Sequence, residues 1–145
     1  MRLIIFEGIS GSGKTTLYEE CRKFLGERHL MVQRWTATQF VYDRLYHRNR
    51  VDAQALVNVE RQLMPILRPL VVWTVCNPSL AEQRKTAAGD DNVEPDLDGA
   101  QRLYWKWITG ISPLQWVRVR TDEMTVAECG WEVLKAFKCD NPLEA

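Results

Sequence analysis

Residues 8–15 read Gly-Ile-Ser-Gly-Ser-Gly-Lys-Thr, and this run constrains the fold more than any other part of the chain. It fits the pattern G-x-x-x-x-G-K-[ST], which works only between a strand and a helix. Both flanks are present. Leu3-Ile4-Ile5-Phe6 is a bulky apolar run of the kind found in a parallel strand covered on both faces, and Leu17, Cys21, Phe24 and Leu25 then recur at helical spacing. Glycine at Gly8, Gly11 and Gly13 lets the backbone wrap closely round an anionic chain with its N–H groups turned inward. Ser10, Ser12 and Thr16 belong to the same cradle. Lys14 adds a point charge, Thr15 offers a hydroxyl to Mg²⁺, and the following helix brings its positive end to the same place. The expected ligand is ATP with Mg²⁺.

The chain has 145 residues, enough for one domain with a real core and too few for a separate substrate domain. Nineteen basic and nineteen acidic residues cancel, so any contact with nucleic acid or membrane must be local. No apolar stretch approaches the roughly 20 residues that span a bilayer, which predicts a soluble, cytoplasmic protein. Cys21, Cys76, Cys129 and Cys139 show no C-x-x-C spacing and read as reduced thiols.

Apolar runs alternate with helical patterns along the whole chain, the order of a parallel α/β sheet. Met31 to Trp35 reads as a second strand and Phe40 to Asp43 as a third. Asp52 is placed to cap a helix carrying Leu56, Val59 and Leu63. Leu70 to Val75 is the most strand-like run, and a short polar helix near Ala81 to Ala87 follows it. Gly89 to Asp96 reads as an exposed loop. Leu97, Ala100, Tyr104, Trp107 and Ile111 mark a helical face, Leu114 to Val119 a last strand, and Thr125-Val126-Ala127-Glu128 a capping box opening the final helix. The fold class expected is a three-layer α/β phosphate-loop domain over residues 1–145, with a parallel five-stranded sheet flanked by helices.

Mg²⁺ wants oxygen ligands and an attacking group needs orientation, so a second acidic element should stand at the end of a neighbouring strand. Asp43, at the end of the expected third strand, is the best candidate, with Glu7 in reserve.

Phe6-Glu7-Gly8-Ile9 followed by Gly11-Ser12-Gly13-Lys14-Thr15-Thr16, Tyr42-Asp43-Arg44, and Val75-Cys76-Asn77-Pro78 with Arg84 downstream together resemble thymidylate kinases and their deoxynucleoside kinase relatives. The resemblance runs over most of the chain. It implies that Lys14, Asp43, Arg44 and Arg84 are catalytic: Asp43 serving the acceptor or metal, Arg44 the acceptor-side phosphate, and Arg84 the transferring phosphoryl group from a lid at roughly 79–96, with Lys85 a weaker lid candidate. Two departures stand out. Ser10 occupies the place of an acid in the loop, and a short stretch containing Thr36, Ala37 and Thr38 separates the expected second and third strands, where the family has a helical acceptor-binding segment. This predicts a reduced, open acceptor side, compatible with a homodimer.

Arg44, His47, Arg48 and Arg50 crowd one stretch, with Trp35, Tyr42 and Tyr46 nearby. Basic groups for a phosphate and aromatics for a base make Arg44, Trp35, Tyr46 and Arg48 the substrate-binding candidates. The resulting expectation is a kinase acting on a small nucleotide or nucleoside. The alternatives are a kinase acting on a nucleotide within DNA or RNA, which the zero net charge disfavours, and a non-catalytic nucleotide-binding switch.

Overall fold

The computed structural model describes residues 1–89 and 94–139; the Cys139 side chain lies outside the description. The elements are β1 (Leu3–Glu7), α1 (Lys14–Leu25), β2 (Leu30–Gln33), α2 (Thr36–Leu45), α3 (Ala53–Leu67), β3 (Leu70–Val75), α4 (Pro78–Ala87), α5 (Leu97–Trp105), a π-helical continuation (Lys106–Ile111), β4 (Gln115–Arg120) and α6 (Val126–Cys139). The four strands are all parallel in the order β2-β1-β3-β4. Parallel strands covered on both faces must be apolar throughout, and every residue of β1 and β3 is buried.

Alternation along the strands divides two cores. Ile5, Val71, Trp73 and Val75 face Phe40, Val41, Ala100, Tyr104 and Trp107 of the α2–α5 layer. Ile4, Phe6 and Val72 face Leu17, Cys21, Cys129 and Val133 of the α1–α6 layer. The expected three layers are therefore present. The capping box is formed as read, with Thr125 Oγ1 accepting from Glu128 N at 3.2 Å and Glu128 Oε1 accepting from Thr125 N at 3.1 Å.

The expected five-stranded sheet is corrected to four strands, because Phe40 to Asp43 is helix. Ala37, Phe40 and Val41 are all buried, a helical repeat that packs against Trp107. A β-prone Phe-Val-Tyr run gives way here to tertiary packing. The expected reduction of the acceptor-side segment falls with that strand: α2 and α3 together fill the crossover between β2 and β3. Asp52 caps α3 as predicted, accepting from Gln54 N at 2.9 Å. On α3, however, Val57 and Glu60 are the fully buried residues, while Val59 is exposed.

Arg2 fastens the end of the sheet opposite the glycine loop. Only 2% exposed, it donates from Nε to Arg68 O at 2.9 Å, from Nη1 to Phe137 O at 3.0 Å and from Nη2 to Gln115 Oε1 at 2.9 Å. One guanidinium thus ties carbonyls at the ends of α3 and α6 to β4.

Candidate phosphate-binding cleft

β1 has β2 on one side and β3 on the other, so chain connections leave it in opposite directions and open a crevice at the C-terminal strand ends. The glycine loop lies there. Gly8, Gly11 and Gly13 have φ of 152°, 78° and 85°, values that L side chains avoid. At Gly8 a Cβ would stand 2.6 Å from the Thr74 carbonyl oxygen, and at Gly11 it would meet the Ala81 carbonyl. The loop is fastened from below: Ser12 Oγ pairs with Thr74 Oγ1 at 2.7 Å, and Thr121 Oγ1 donates to Ser12 O. Gly13 caps α1 without a side chain, leaving the first-turn amides of Lys14, Thr15 and Thr16 available to an anion.

The resulting cleft has a volume of about 420 Å³. Lys14, Arg34, Arg84 and Lys85 all line it, with Ser10, Gly11, Gly13, Thr15, Thr16 and Gln33. Arg84, expected from the lid, reaches the loop: its Nη1 donates to Gly11 O at 3.2 Å and its Nη2 to Thr121 O at 3.4 Å. It stands on α4, and residues 90–93 of the expected lid lie outside the described residues. Thr15 Oγ1 donates to Gln33 Oε1 at 3.1 Å. A hydroxyl and an amide oxygen beside a triphosphate cradle suit Mg²⁺, which takes most of its ligands from phosphate and water. A second hollow of about 260 Å³ shares Gly13 and Arg84 with the cleft and is walled by Leu17, Met124 and Cys129.

Desolvation by burial, then the nearby Arg34 charge, brings the Lys14 pKa down from 10.5 to about 8, against the pull of Glu7 and Glu94. A polyphosphate between Lys14 and Arg34 favours the protonated amine. Nucleotide binding at pH 8.5 is therefore expected to take up a proton, and affinity should fall as pH rises through about 8. Calorimetry in buffers of different ionisation heat measures this; no buffer dependence would place the charge change elsewhere.

Behind the loop lies a polar cluster that sequence reading did not find. Arg34, at the end of β2 with φ 64°, donates from Nη1 to Tyr42 Oη at 2.8 Å and Tyr104 Oη at 3.3 Å, and from Nη2 to Ser10 Oγ at 3.3 Å. Glu94 is 5% exposed, although Gly89 to Asp96 read as an exposed loop. Its carboxylate accepts from Ser10 N at 3.3 Å and Tyr42 Oη at 2.9 Å and lies 3.7 Å from Arg34. Burial pushes the Tyr42 phenol up to about 12, and Tyr104 is driven up as well. Glu7, the reserve acid, is buried and accepts from Trp35 N at 3.2 Å, Thr38 N at 2.9 Å and Thr38 Oγ1 at 2.6 Å. Burial raises its pKa, and the Thr38 and Trp35 bonds work against that rise. Its three bonds hold the start of α2, so it acts as that helix's cap.

Asp43, placed at a strand end by the sequence reading, sits on α2 and does not line the cleft. It accepts from Arg50 N at 2.8 Å and Val51 N at 3.1 Å and pairs with Arg44. The Arg50 amide leads in holding its carboxyl below the usual range, against the cost of burial. Arg44 lies over the Phe40 ring at 4.8 Å. Trp35 packs against the core, and Tyr46 meets Tyr42 edge-on at 5.8 Å with Arg48 over its own ring at 5.0 Å. Tyr42, Arg48 and Arg50 open onto a separate hollow of about 310 Å³. The structure thus gathers Lys14, Thr15, the loop and Arg84 into one cleft, and groups Asp43 with Arg48 at a neighbouring hollow reached through Tyr42.

Three solved structures share this fold. The Bacillus subtilis YorR protein in complex with phosphorylated GDP superposes with a TM-score of 0.77 at 16% identity, covering 95% of this chain and 96% of that one. Deoxyadenosine kinase of M. mycoides with dCMP and a flexible dCDP gives a TM-score of 0.66 at 14% identity, covering 96% of this chain and 100% of that one. The same kinase with dCTP gives 0.65 at 15% identity, over 96% and 100% of the two chains. The chain has the fold of these three structures. No protein-family model and no curated protein sequence matches the chain. Among the described residues no helix is long and apolar enough to cross a membrane, and no group of His, Cys, Asp and Glu is arranged to hold a metal without a ligand's help.

Proposed function

We propose that the protein is an ATP- and Mg²⁺-dependent kinase that transfers the γ-phosphoryl group to a nucleotide or nucleoside. The observation that carries this reading is the convergence of Lys14, Arg34 and Arg84 on a cleft floored by uncapped helix amides, with a polar cluster adjoining it on the acceptor side. Phosphoryl transfer spreads charge over the equatorial oxygens, so positioned cations and amides are what the chemistry needs.

The loop from Gly8 to Thr16 holds the donor phosphates, and the hollow lined by Leu17 and Met124 takes the donor base. Thr15 and Gln33 would hold Mg²⁺, which would supply neutralisation of the phosphate charge. Arg84, tied to the Gly11 carbonyl, is placed to follow the charge onto the transferring group. Ser10, Tyr42 and Glu94 orient the acceptor. Asp43 and Arg44 act by fixing the turn at 46–51, which sets Arg48 against the acceptor hollow, while Tyr46 braces Tyr42 and Trp35 secures α2.

An assay of ADP release against a panel of deoxynucleosides and their monophosphates, with Lys14→Met as the blank, tests the reading. Release that requires one acceptor supports it. ATP binding with no acceptor-dependent ADP would favour the nucleotide-bound switch.

A further inference from the structure

We infer that Glu60 is a proton-operated latch: as a neutral acid it docks the start of α2 against α3 and the turn before β4, and its ionisation releases that start.

Glu60 lies on α3 and is 0% exposed. A buried carboxyl is stable as an anion only where strong donors surround it, and the chain holds both cases. Asp43, also buried, takes the amides of Arg50 and Val51 and pairs with Arg44. Glu60 meets two hydroxyls instead, Thr36 from α2 and Ser112 from the end of the π-helical stretch. The charged group that bears on it from β1 is Glu7, another carboxyl. Arg61, the next residue on α3, is exposed, and among the described residues no ion pair reaches Glu60.

The geometry at Ser112 calls for a proton on the acid. Ser112 Oγ stands 2.8 Å from both Glu60 Oε1 and Glu60 Oε2, and Leu114 N donates to the same hydroxyl at 3.2 Å. A hydroxyl has one proton to give. Given to Oε2, it leaves the second short contact to be filled by the acid's own proton, donated from Oε1 to the remaining lone pair of Ser112 Oγ. Thr36 Oγ1 donates to Oε2 as well, at 3.4 Å, long for an O–H···O bond. In this arrangement every proton at the junction has an acceptor. Ionisation leaves Oε1 and Ser112 Oγ facing each other with lone pairs alone, around a buried charge that no cation offsets. Burial accordingly pushes the Glu60 pKa up to about 7, with the Ser112 and Thr36 bonds opposing the rise and Glu7 adding to it.

The latch acts on the helix that faces the cleft. Thr36 is the first residue of α2, and Glu7 holds Trp35 and Thr38 on either side of it. Thr38 Oγ1 pairs with Tyr104 Oη at 2.9 Å, and Tyr42, one turn further, reaches Arg34 and Glu94. The proton on Glu60 therefore positions the element that presents the polar cluster to the glycine loop.

The folded pKa lies above the unfolded value of 4.5, so stability is lost as pH rises from about 4.5 to about 7 and is level beyond. Glu60→Gln copies the neutral acid, its amide nitrogen donating to Ser112 Oγ and its oxygen accepting. Every measurement uses the unliganded full chain. In carboxyl ¹³C NMR of the wild type the Glu60 signal is expected to titrate near pH 7. The thermal midpoint of the wild type, relative to Glu60→Gln, should fall by about 5 °C between about pH 5 and pH 8. Amide-exchange protection over residues 36–42 should drop across the same range in the wild type and hold in the variant. Titration below about pH 5.5, within the ordinary carboxyl range, overturns the inference. So does a midpoint difference that ignores pH, or protection lost equally from both proteins. Failure of Glu60→Gln to fold overturns it too, because the amide keeps the hydrogen bonds of the neutral acid.

Discussion

Lys14→Met is expected to lower phosphoryl transfer roughly a thousandfold while leaving the protein at least as stable as before. The loss follows from removing a positioned charge at the developing transition state, where a single preorganised group is worth about 10²- to 10³-fold or more. The retained stability follows from burial. Lys14 is 8% exposed, and its pKa drops from 10.5 to about 8, on the order of 3 kcal/mol spent against the charged form. The folded pKa lies below the unfolded one, so this cost is fully present below about pH 8, where the amine is charged in both states. It fades between about pH 8 and 10.5, where the folded amine is neutral and the unfolded one still protonated. Methionine fills similar volume with no charge to desolvate, so the thermal midpoint at pH 7 should hold or rise. Parallel assays of transfer and of thermal unfolding check both halves. A midpoint that falls along with activity would mean that Lys14 acts by holding the loop together.

The largest stability effect is expected at the other end of the sheet. Arg2→Met would strand Arg68 O, Phe137 O and Gln115 Oε1 at once in a site where the arginine is 2% exposed. Leaving a buried acceptor unpaired costs about 1–3 kcal/mol, so three together cost about 3–5 kcal/mol or more, which for a chain of this size lowers the thermal midpoint on the order of 10 °C. Arg2 lies across the sheet from the glycine loop, so nucleotide affinity of the folded fraction should be unchanged within about twofold. Denaturant unfolding and nucleotide titration below the transition measure the two quantities. A loss under about 1 kcal/mol would show that methionine packs well enough to replace the three bonds.

How far the sequence could be read depended on whether each signal was local. The glycine loop, β1, α1, β3, the α5 face and the Thr125–Glu128 box all announce themselves within a few residues, and the structure contains each of them. α2 did not, because its cap is remote: Trp35 offers no capping oxygen, and Glu7 reaches in from β1 to bind the amides of Trp35 and Thr38. With no start signal, Phe40-Val41-Tyr42 read as a strand and the acceptor-side segment went unseen. Glu94 was lost for a similar reason. It sits in a polar stretch without periodicity, and its partners Ser10 and Tyr42 are 84 and 52 residues away. Arg34 adjoins Trp35, which drew attention as an aromatic, yet its left-handed turn into the cleft has no signature in residue type. The glycine-loop cleft was legible as a motif. The Arg34–Tyr42–Glu94 cluster beside it is assembled by tertiary contacts alone.

The most direct test of the account is ³¹P NMR of the protein with Mg–ATP and the nucleoside or nucleotide that most stimulates ADP release. Transfer predicts that the ATP signals give way to those of ADP and of a newly phosphorylated acceptor in equal amounts, with no matching rise in inorganic phosphate, and that Lys14→Met abolishes the change. ADP appearing with inorganic phosphate in step, and the acceptor unaltered, would make the cleft a site of hydrolysis and contradict the account.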